Sequence, residues 1–238
     1  MIECREITYR YEAQSADGRP VLDGVSLTID DGSFVVLAGA NGSGKTTLVR
    51  HCNGLYTPDA GSVLINGVSV AAAPVAARTA VAMTFQEPRD GFVAATVGAD
   101  VAFGPENLGL DRATIDQRVE DALAAVGLTG YEGTHIEHLS GGERMRVAIA
   151  GALAMQPDHL LLDEPLVGLD APAEQSVLDR LSALSADGMS IVVVTHELRD
   201  LVELADRIVV LADGAIALDG QPAAVCDRLP EYGVSSPC

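Results

Sequence analysis

The only lysine of the chain, Lys45, lies in a glycine-rich run whose residue types and spacing could bind phosphate. The run from Gly39 to Thr46 matches the pattern G-x-x-x-x-G-K-[ST] at every fixed position. Glycines let successive backbone N–H groups curl around an anion, and a helix N-terminus adds a positive dipole end. We predict that Lys45 contacts the β- and γ-phosphates of a nucleotide and that the Thr46 hydroxyl helps to hold Mg²⁺. The predicted nucleotide-binding residues of this phosphate loop are Gly39, Ala40, Asn41, Gly42, Ser43, Gly44, Lys45, Thr46 and Thr47.

Two adjacent acids follow an apolar stretch that predicts a buried strand from His159 to Asp163. An acid at the end of such a strand, beside a phosphate loop, can hold Mg²⁺, usually through water, and we assign this role to Asp163. The next residue, Glu164, is placed to polarise water for attack on the γ-phosphate. An Asp-Glu pair is common by itself, but the phosphate loop upstream favours this functional interpretation.

A second glycine motif runs from Leu139 to Glu143 and precedes a helical segment from Arg144 to Met155. Two glycines after a serine at a helix start make a second anion-binding N-terminus. One nucleotide does not need two phosphate cradles from one chain. We therefore predict that the signature loop, defined here as Ser140, Gly141, Gly142 and Glu143, caps a nucleotide held by another subunit. A plain capped turn is the alternative.

The elements that must position these residues alternate between strands and helices. A strand from Phe34 to Ala38 enters the phosphate loop, and a helix from Thr46 to His51 leaves it. Alternation returns after His159, with a further strand predicted from Ser190 to Thr195. This alternation predicts a mostly parallel sheet with helices on both faces. The segment before His159 is rich in Ala and Leu, with a helix predicted from Arg112 to Val126.

We therefore predict an α/β fold. A P-loop NTPase core is joined by an N-terminal antiparallel β subdomain and an inserted helical subdomain. The whole chain, 1–238, forms one domain. Residues 1–86 and 156–238 form the nucleotide-binding core with the β subdomain, and residues 87–155 form the helical subdomain that carries the signature loop.

Composition limits the partners. There are 15 basic and 34 acidic residues, a net charge of −19, which repels nucleic acids and anionic lipid headgroups. This acidity, with a single lysine, is typical of proteins from salt-loving archaea, where about 1 M salt shortens the Debye length to about 3 Å. We find no apolar run near the ~18 residues of a membrane helix. Cys4, Cys52, Cys226 and Cys238 show no CxxC spacing, so we expect reduced thiols.

Taken together, the motifs resemble the ATP-binding subunit of an ABC transporter over essentially the whole chain. They are GANGSGKT, Gln86, LSGGE, LLLDEP, Gly168-Leu169-Asp170 and His196, in that order. The resemblance implies that Tyr11 stacks on adenine, although Tyr11 could also be a plain strand-edge aromatic residue. It implies that Gln86 senses Mg²⁺ and the attacking water, that Asp170 lies in a loop at the dimer interface, and that His196 clamps the γ-phosphate. The implied catalytic residues are Glu164, His196 and Gln86, and the implied Mg²⁺ residues are Thr46, Gln86 and Asp163.

A narrower resemblance rests on Phe85–Pro88, Asp100–Leu110 and Val147–Met155, which are similar to ATPases of energy-coupling-factor importers for cobalt, nickel or biotin. Here Arg89-Asp90-Gly91 stands where the family often has two acids and a glutamine. The resemblance implies ATP and Mg²⁺ as cofactors, and a second ATPase subunit that is identical or paralogous. It also implies a membrane-spanning coupling subunit, a substrate-binding membrane component, and a peripheral location on the cytoplasmic face of the membrane.

Other functions remain to be weighed. A DNA-repair ATPase of the same class would carry a long coiled coil, which this sequence lacks. A GTPase would need a second lysine for its guanine motif. A soluble ABC-type ATPase for cofactor assembly stays open. For the importer, we predict that the groove around 87–106 receives a helix of the membrane subunit, and that its acids pair with arginines there. These acids are Glu87, Asp90, Asp100 and Glu106.

Overall fold

Two sheets and the helices packed on them form the structure, a computed structural model that describes residues 1–11, 19–198 and 200–235. The strands are β1 (Ile2–Tyr9), β2 (Leu22–Ile29), β3 (Phe34–Ala38), β4 (Ala60–Ile65), β5 (Val68–Ser69), β6 (Val81–Thr84), β7 (His159–Asp163), β8 (Ser190–Thr195), β9 (Arg207–Ala212) and β10 (Ala215–Gly220). The helices are α1 (Lys45–Cys52), α2 (Pro74–Ala80), α3 (Val97–Asn107), α4 (Arg112–Ala125), α5 (Gly141–Ala154), α6 (Ala171–Ala186), α7 (Leu201–Leu204) and α8 (Pro222–Val225). Short 3₁₀ turns lie at Pro88–Asp90, Ile136–His138 and Cys226–Tyr232.

The larger sheet has the strand order β10-β9-β3-β8-β7-β6. Its strands run parallel except β10, which pairs antiparallel with β9 at one edge. The smaller sheet has the order β2-β1-β4-β5 and is antiparallel. The predicted α/β class, with a mostly parallel sheet and an N-terminal antiparallel subdomain, is confirmed.

The central strand β3 has layers packed on both of its faces. All five of its residues are buried, as are all residues of β7 and β8. Because successive side chains of a strand point to opposite faces, β3 contributes to two cores. Phe34, Val36 and Ala38 join the core shared with α3 to α6, whereas Val35 and Leu37 join the core shared with α1 and the antiparallel sheet. Strands buried on both faces explain the continuous apolar runs in the sequence.

The helical segment between β6 and β7 packs as a layer on one face of this sheet. Its helices α3, α4 and α5 contact one another, and their buried residues belong to the same core as one face of β3, β7 and β8. Asp111 caps α4 by accepting a hydrogen bond from the Thr114 N–H at 3.1 Å, so the helix begins where the sequence predicts. None of the described helices is long and apolar enough to cross a lipid bilayer.

Three of the four cysteines lie in the described residues, and all three are buried. The thiol sulfurs of Cys4 and Cys52 lie 3.9 Å apart, which is a contact between reduced thiols. Cys226 is buried near the C-terminus, and Cys238 lies outside the described residues.

Candidate nucleotide site

The phosphate loop connects the C-terminal end of β3 to the N-terminus of α1. A side chain at Gly39 would collide with the Leu211 carbonyl, and Gly44 has a φ of 104°, which favours glycine. Helix α1 begins at Lys45 with no side-chain cap and no acid in its first turn. Its first N–H groups therefore keep the positive end of the helix available to an anion.

The Lys45 ammonium is folded back onto the loop that carries it. Nζ donates hydrogen bonds to the carbonyls of Gly39 at 2.7 Å and Ala40 at 3.1 Å. Lys45 is 5% exposed, and burial lowers the pKa of its ammonium, although the nearby charges of Asp163 and Glu164 oppose that shift. The loop thus holds a desolvated cation beside two acids, in position to bind phosphate oxygens.

Thr46 and Asp163 meet although 117 residues separate them in sequence. The Thr46 hydroxyl donates to Asp163 Oδ1 at 3.1 Å. Asp163 is 1% exposed, and burial is the largest cause of the raised pKa of its carboxyl. Hydroxyl and carboxylate oxygens are the hard ligands that Mg²⁺ takes in nucleotide sites, so this pair fits the cation predicted from the sequence.

Glu164 is held in an unusual backbone conformation directly after β7. Its φ is 51°, a region that non-glycine residues seldom adopt, and its N–H donates to the Val194 carbonyl at 2.8 Å. Glu164 is 6% exposed, and its carboxylate has two hydrogen-bond partners. Thr195 Oγ1 donates to Oε2 at 2.9 Å, and His196 Nδ1 lies 2.8 Å from Oε1.

The parallel register of β7 and β8 explains this convergence. Asp163 pairs with Val194, so the residues that follow the two strands leave the same edge of the sheet. Ligands bind at this carboxyl edge in open α/β sheets. The His196 side chain is 34% exposed, and its second ring nitrogen, Nε2, lies 4.0 Å from Glu197 Oε1. The structure therefore brings together Lys45, Thr46, Asp163, Glu164 and His196, all predicted from the sequence.

Gln86 is not brought into this group. It lies two residues beyond the end of β6, is exposed, and makes no hydrogen bond within the described residues. Because β6 is the parallel neighbour of β7, Gln86 still leaves the carboxyl edge of the sheet. Its roles in sensing Mg²⁺ and water stay predictions.

Tyr11 contacts the phosphate loop through its hydroxyl, which lies 2.8 Å from Thr47 Oγ1. Its ring packs edge-on against Tyr9 and Tyr56, with centroid distances of 5.2 and 5.9 Å. Burial raises the pKa of the Tyr11 hydroxyl. Tyr9 instead stacks on Tyr56 at 5.3 Å. The aromatic group beside α1 thus contains Tyr11, whose stacking on adenine stays a prediction, and Tyr56, which the sequence did not single out.

The signature loop begins α5 with a reciprocal cap. Ser140 Oγ accepts from the Glu143 N–H, and Glu143 Oε2 accepts from the Ser140 N–H at 2.8 Å. This contact with the Ser140 N–H is the largest cause of the lowered pKa of Glu143. Glu143 therefore stabilises the helix start. The N–H groups of Gly141 and Gly142 have no hydrogen-bond acceptor among the described residues.

The signature loop and the phosphate loop line different parts of the surface. A cavity of about 440 Å³ is formed by the signature loop with 168–170 and the start of α6, and it includes no residue of 39–47. Asp170 caps α6 by accepting from the Ala173 N–H at 2.9 Å, so it lies beside the signature loop of its own chain. The two predicted phosphate cradles of one chain do not share a cavity.

Two of the acids predicted to pair with a membrane partner also have partners within the chain, and their pairing with arginines of a membrane subunit stays a prediction. Asp100 Oδ1 accepts from the N–H groups of Val93 at 2.7 Å and Ala94 at 3.1 Å. Glu106 lies 3.9 Å from an Arg112 guanidinium nitrogen. Asp100 therefore fixes the loop that leads into α3. No pattern in the sequence indicated this contact, because Val93 and Asp100 are seven residues apart.

Comparison with known proteins agrees with the geometry. The ABC transporter family matches residues 22–167. A candidate ABC transporter ATP-binding protein of Halobacterium salinarum is 61% identical, with all of both chains covered. The energy-coupling factor transporter ATP-binding protein EcfA of Methanocaldococcus jannaschii is 43% identical over 94% of this chain and 80% of its own length.

A solved structure has the same architecture. It is cbiO1 from Clostridium perfringens, described as part of the ABC transporter complex cbiONQ, and it aligns with a TM-score of 0.84 and 30% identity. The alignment covers 98% of this chain and 96% of cbiO1. The phosphate loop, the paired acids and the signature loop of this chain thus lie in a fold that it shares with such relatives. The chain belongs to the ATP-binding proteins of ABC transporters and is an ATPase.

Proposed function

We propose that the chain is the ATP-hydrolysing subunit of an energy-coupling-factor-type importer. It pairs with a second ATPase chain around two ATP molecules and powers uptake of a metal ion or vitamin through separate membrane subunits, from the cytoplasmic face of the membrane. A second copy of this chain is the simplest partner. The observation that carries the proposal is the separation of the phosphate loop from the signature loop. In a pair of chains, each chain can then supply the phosphate half of one ATP site and the signature half of the other. The name of the EcfA relative supports the importer class.

In the phosphate half of the site, ATP binding replaces the hydrogen bonds of Lys45 Nζ to the Gly39 and Ala40 carbonyls. Nζ then binds β- and γ-phosphate oxygens. Thr46 and Asp163 would hold Mg²⁺, which supplies charge neutralisation at the β- and γ-oxygens when bound. Glu164 accepts a proton from the attacking water, and His196 holds both the Glu164 carboxylate and the γ-phosphate. Tyr11 turns its ring to the adenine.

The partner chain supplies the signature half. The N–H groups of its Gly141 and Gly142 point from the start of α5 to the γ-phosphate, where the helix dipole stabilises negative charge. Glu143 keeps these donors in place through the cap rather than by contacting ATP.

A mixing experiment tests the composite site. The Lys45→Ala chain lacks the phosphate half, and the Ser140→Arg chain lacks the signature half. Each alone should be inactive, whereas an equimolar mixture should regain ATP hydrolysis, because mixed pairs contain one intact site. A mixture as inactive as its components, or an active Ser140→Arg chain, would contradict the proposal.

The membrane subunit docks in an apolar groove between β6, the 88–93 segment and the helices α3 and α5. The groove encloses about 260 Å³ and is lined by Phe85, Val93 and Phe103 among others. These three residues are 37%, 59% and 47% exposed, which is unusual for large apolar residues that line one groove. Glu87 lies in the same segment and remains available for pairing with a basic residue of that helix.

Replacing Phe103 by serine tests this docking surface. We expect the variant to detach from membranes that contain the transporter and to lose uptake, while the ATPase rate of the isolated protein is unchanged. Val75→Ser is the matched control, because Val75 is 70% exposed on α2 and does not line the groove. Normal uptake by Phe103→Ser would remove this surface from the account.

A further inference from the structure

Three consecutive residues at the end of β8 hold Glu164 from one side. The Val194 carbonyl accepts its N–H at 2.8 Å, Thr195 Oγ1 donates to Oε2 at 2.9 Å, and His196 Nδ1 contacts Oε1 at 2.8 Å. The sequence singled out His196 and treated Thr195 only as the last residue of a strand.

We propose that Thr195 is a positioning residue for ATP hydrolysis, which fixes the plane of the Glu164 carboxylate. The inference rests on the role proposed above for Glu164 as the group that receives the water proton. A carboxylate held at one oxygen can rotate about its last bond. One held at both oxygens, by Thr195 and His196, presents its remaining lone pairs in one direction.

The single proton of the Thr195 hydroxyl has two acceptors within reach. Glu164 Oε2 lies at 2.9 Å and the Glu197 carbonyl at 3.0 Å. The carboxylate is the stronger acceptor because it is ionised, so the proton is directed to Glu164. The Glu197 N–H donates to the same hydroxyl oxygen at 3.1 Å, which fixes the rotation of the hydroxyl.

Burial and backbone strain explain why such positioning is needed. Thr195 and Glu164 are 5% and 6% exposed, so little water is available to replace a lost hydrogen bond. The left-handed backbone of Glu164 persists only where its surroundings fix it. A displacement of about 1 Å at a reacting group can lower a rate by about 10²-fold.

The experiment compares Thr195→Val, which has the same shape without the hydroxyl, with Thr195→Ser, which keeps it. We expect Thr195→Val to lower kcat by about 10- to 100-fold with little change in KM, and Thr195→Ser to keep most of the wild-type kcat.

Each outcome decides a separate claim. If Glu164→Gln hydrolyses ATP at the wild-type rate, the proposed role of Glu164 is wrong. If Glu164→Gln is inactive but Thr195→Val keeps the wild-type kcat, only the role of Thr195 is refuted. Thr195→Val and Thr195→Ser that are equally inactive, with a lowered unfolding temperature, would show a structural role and would also overturn the inference.

Discussion

Replacing Gly142 by alanine should separate the signature loop from the helix beside it. A Cβ atom at Gly142 would lie 2.6 Å from the Cβ of Ala173 near the start of α6. Carbon atoms in contact lie about 3.5–4.0 Å apart, so the starts of α5 and α6 must move apart by about 1 Å. Overpacking of this kind typically costs about 1–3 kcal/mol of stability. Because Gly141 and Gly142 move with the start of α5, their N–H groups shift by a similar distance.

A shift of this size should lower kcat by about 10²-fold if these N–H groups contact the γ-phosphate of the partner chain's ATP. Binding of ATP to the isolated chain should be unchanged, because no residue of the phosphate loop lines the cavity beside the signature loop. The assay is steady-state ATP hydrolysis, with fluorescent-nucleotide binding measured on the same preparations.

Two further variants make the result specific. Gly151→Ala is the matched control in the same helix, because a Cβ there meets nothing within 4 Å, and its isolated ATPase rate should be normal. Adding Ala173→Gly to Gly142→Ala removes the colliding atom and should restore most of the rate. A Gly142→Ala protein with normal hydrolysis, or a double variant that stays inactive, would refute the reasoning.

Two predictions follow from the pKa shifts of buried groups. Since burial raises the pKa of Asp163, its charge destabilises the metal-free protein above that pKa. Asp163→Asn should therefore raise the unfolding temperature without Mg²⁺ and abolish Mg²⁺-dependent hydrolysis, and a lower unfolding temperature would contradict this. Burial also lowers the pKa of His159, so its contribution to stability is present above about pH 6.5 and is lost as pH falls through the folded pKa. His159→Gln should reduce the dependence of the free energy of unfolding on pH below about pH 6.5, by at most about 1.4 kcal/mol per pH unit. Urea unfolding at several pH values measures this slope, and a slope equal to that of the wild type would contradict the prediction.

The sequence predicted the elements around the phosphate site well because strong local signals mark them. β3, β7 and β8 have the predicted bounds, since each is a continuous apolar run between polar residues. The glycine positions of the phosphate loop were visible as residue types. Strand β10 was not predicted, although Asp213-Gly214 with positive φ forms the hairpin turn between β9 and β10. An Asp-Gly pair between apolar runs is a hairpin signal that was available.

The contacts that could not be predicted from the sequence are those between side chains of distant segments. Thr195 looks like any strand residue until the register of β7 and β8 places it against Glu164. Tyr56 follows α1 in a loop and joins the aromatic group through the contacts of its ring with Tyr9 and Tyr11. Acidic residues such as Asp100 looked available for a partner because charge, and not hydrogen bonding, is visible in a sequence.

The limits of the helical segment are a further case. The sequence predicted a helical subdomain over 87–155 within one domain, and the bounds of this subdomain stay a prediction. The buried residues of α3, α4 and α5 share one core with the central sheet.

The mass of the Glu164→Gln protein in solution tests the central claim, that two chains complete each ATP site, most directly. This variant should bind ATP without hydrolysing it and so keep the pair closed. With ATP and Mg²⁺, light scattering after gel filtration at high salt should give twice the chain mass of 24.7 kDa, and without nucleotide mostly the single mass. Adding Ser140→Arg to the same protein should leave it monomeric with ATP. A mass that does not respond to ATP, or a dimer that forms despite Ser140→Arg, would contradict the account.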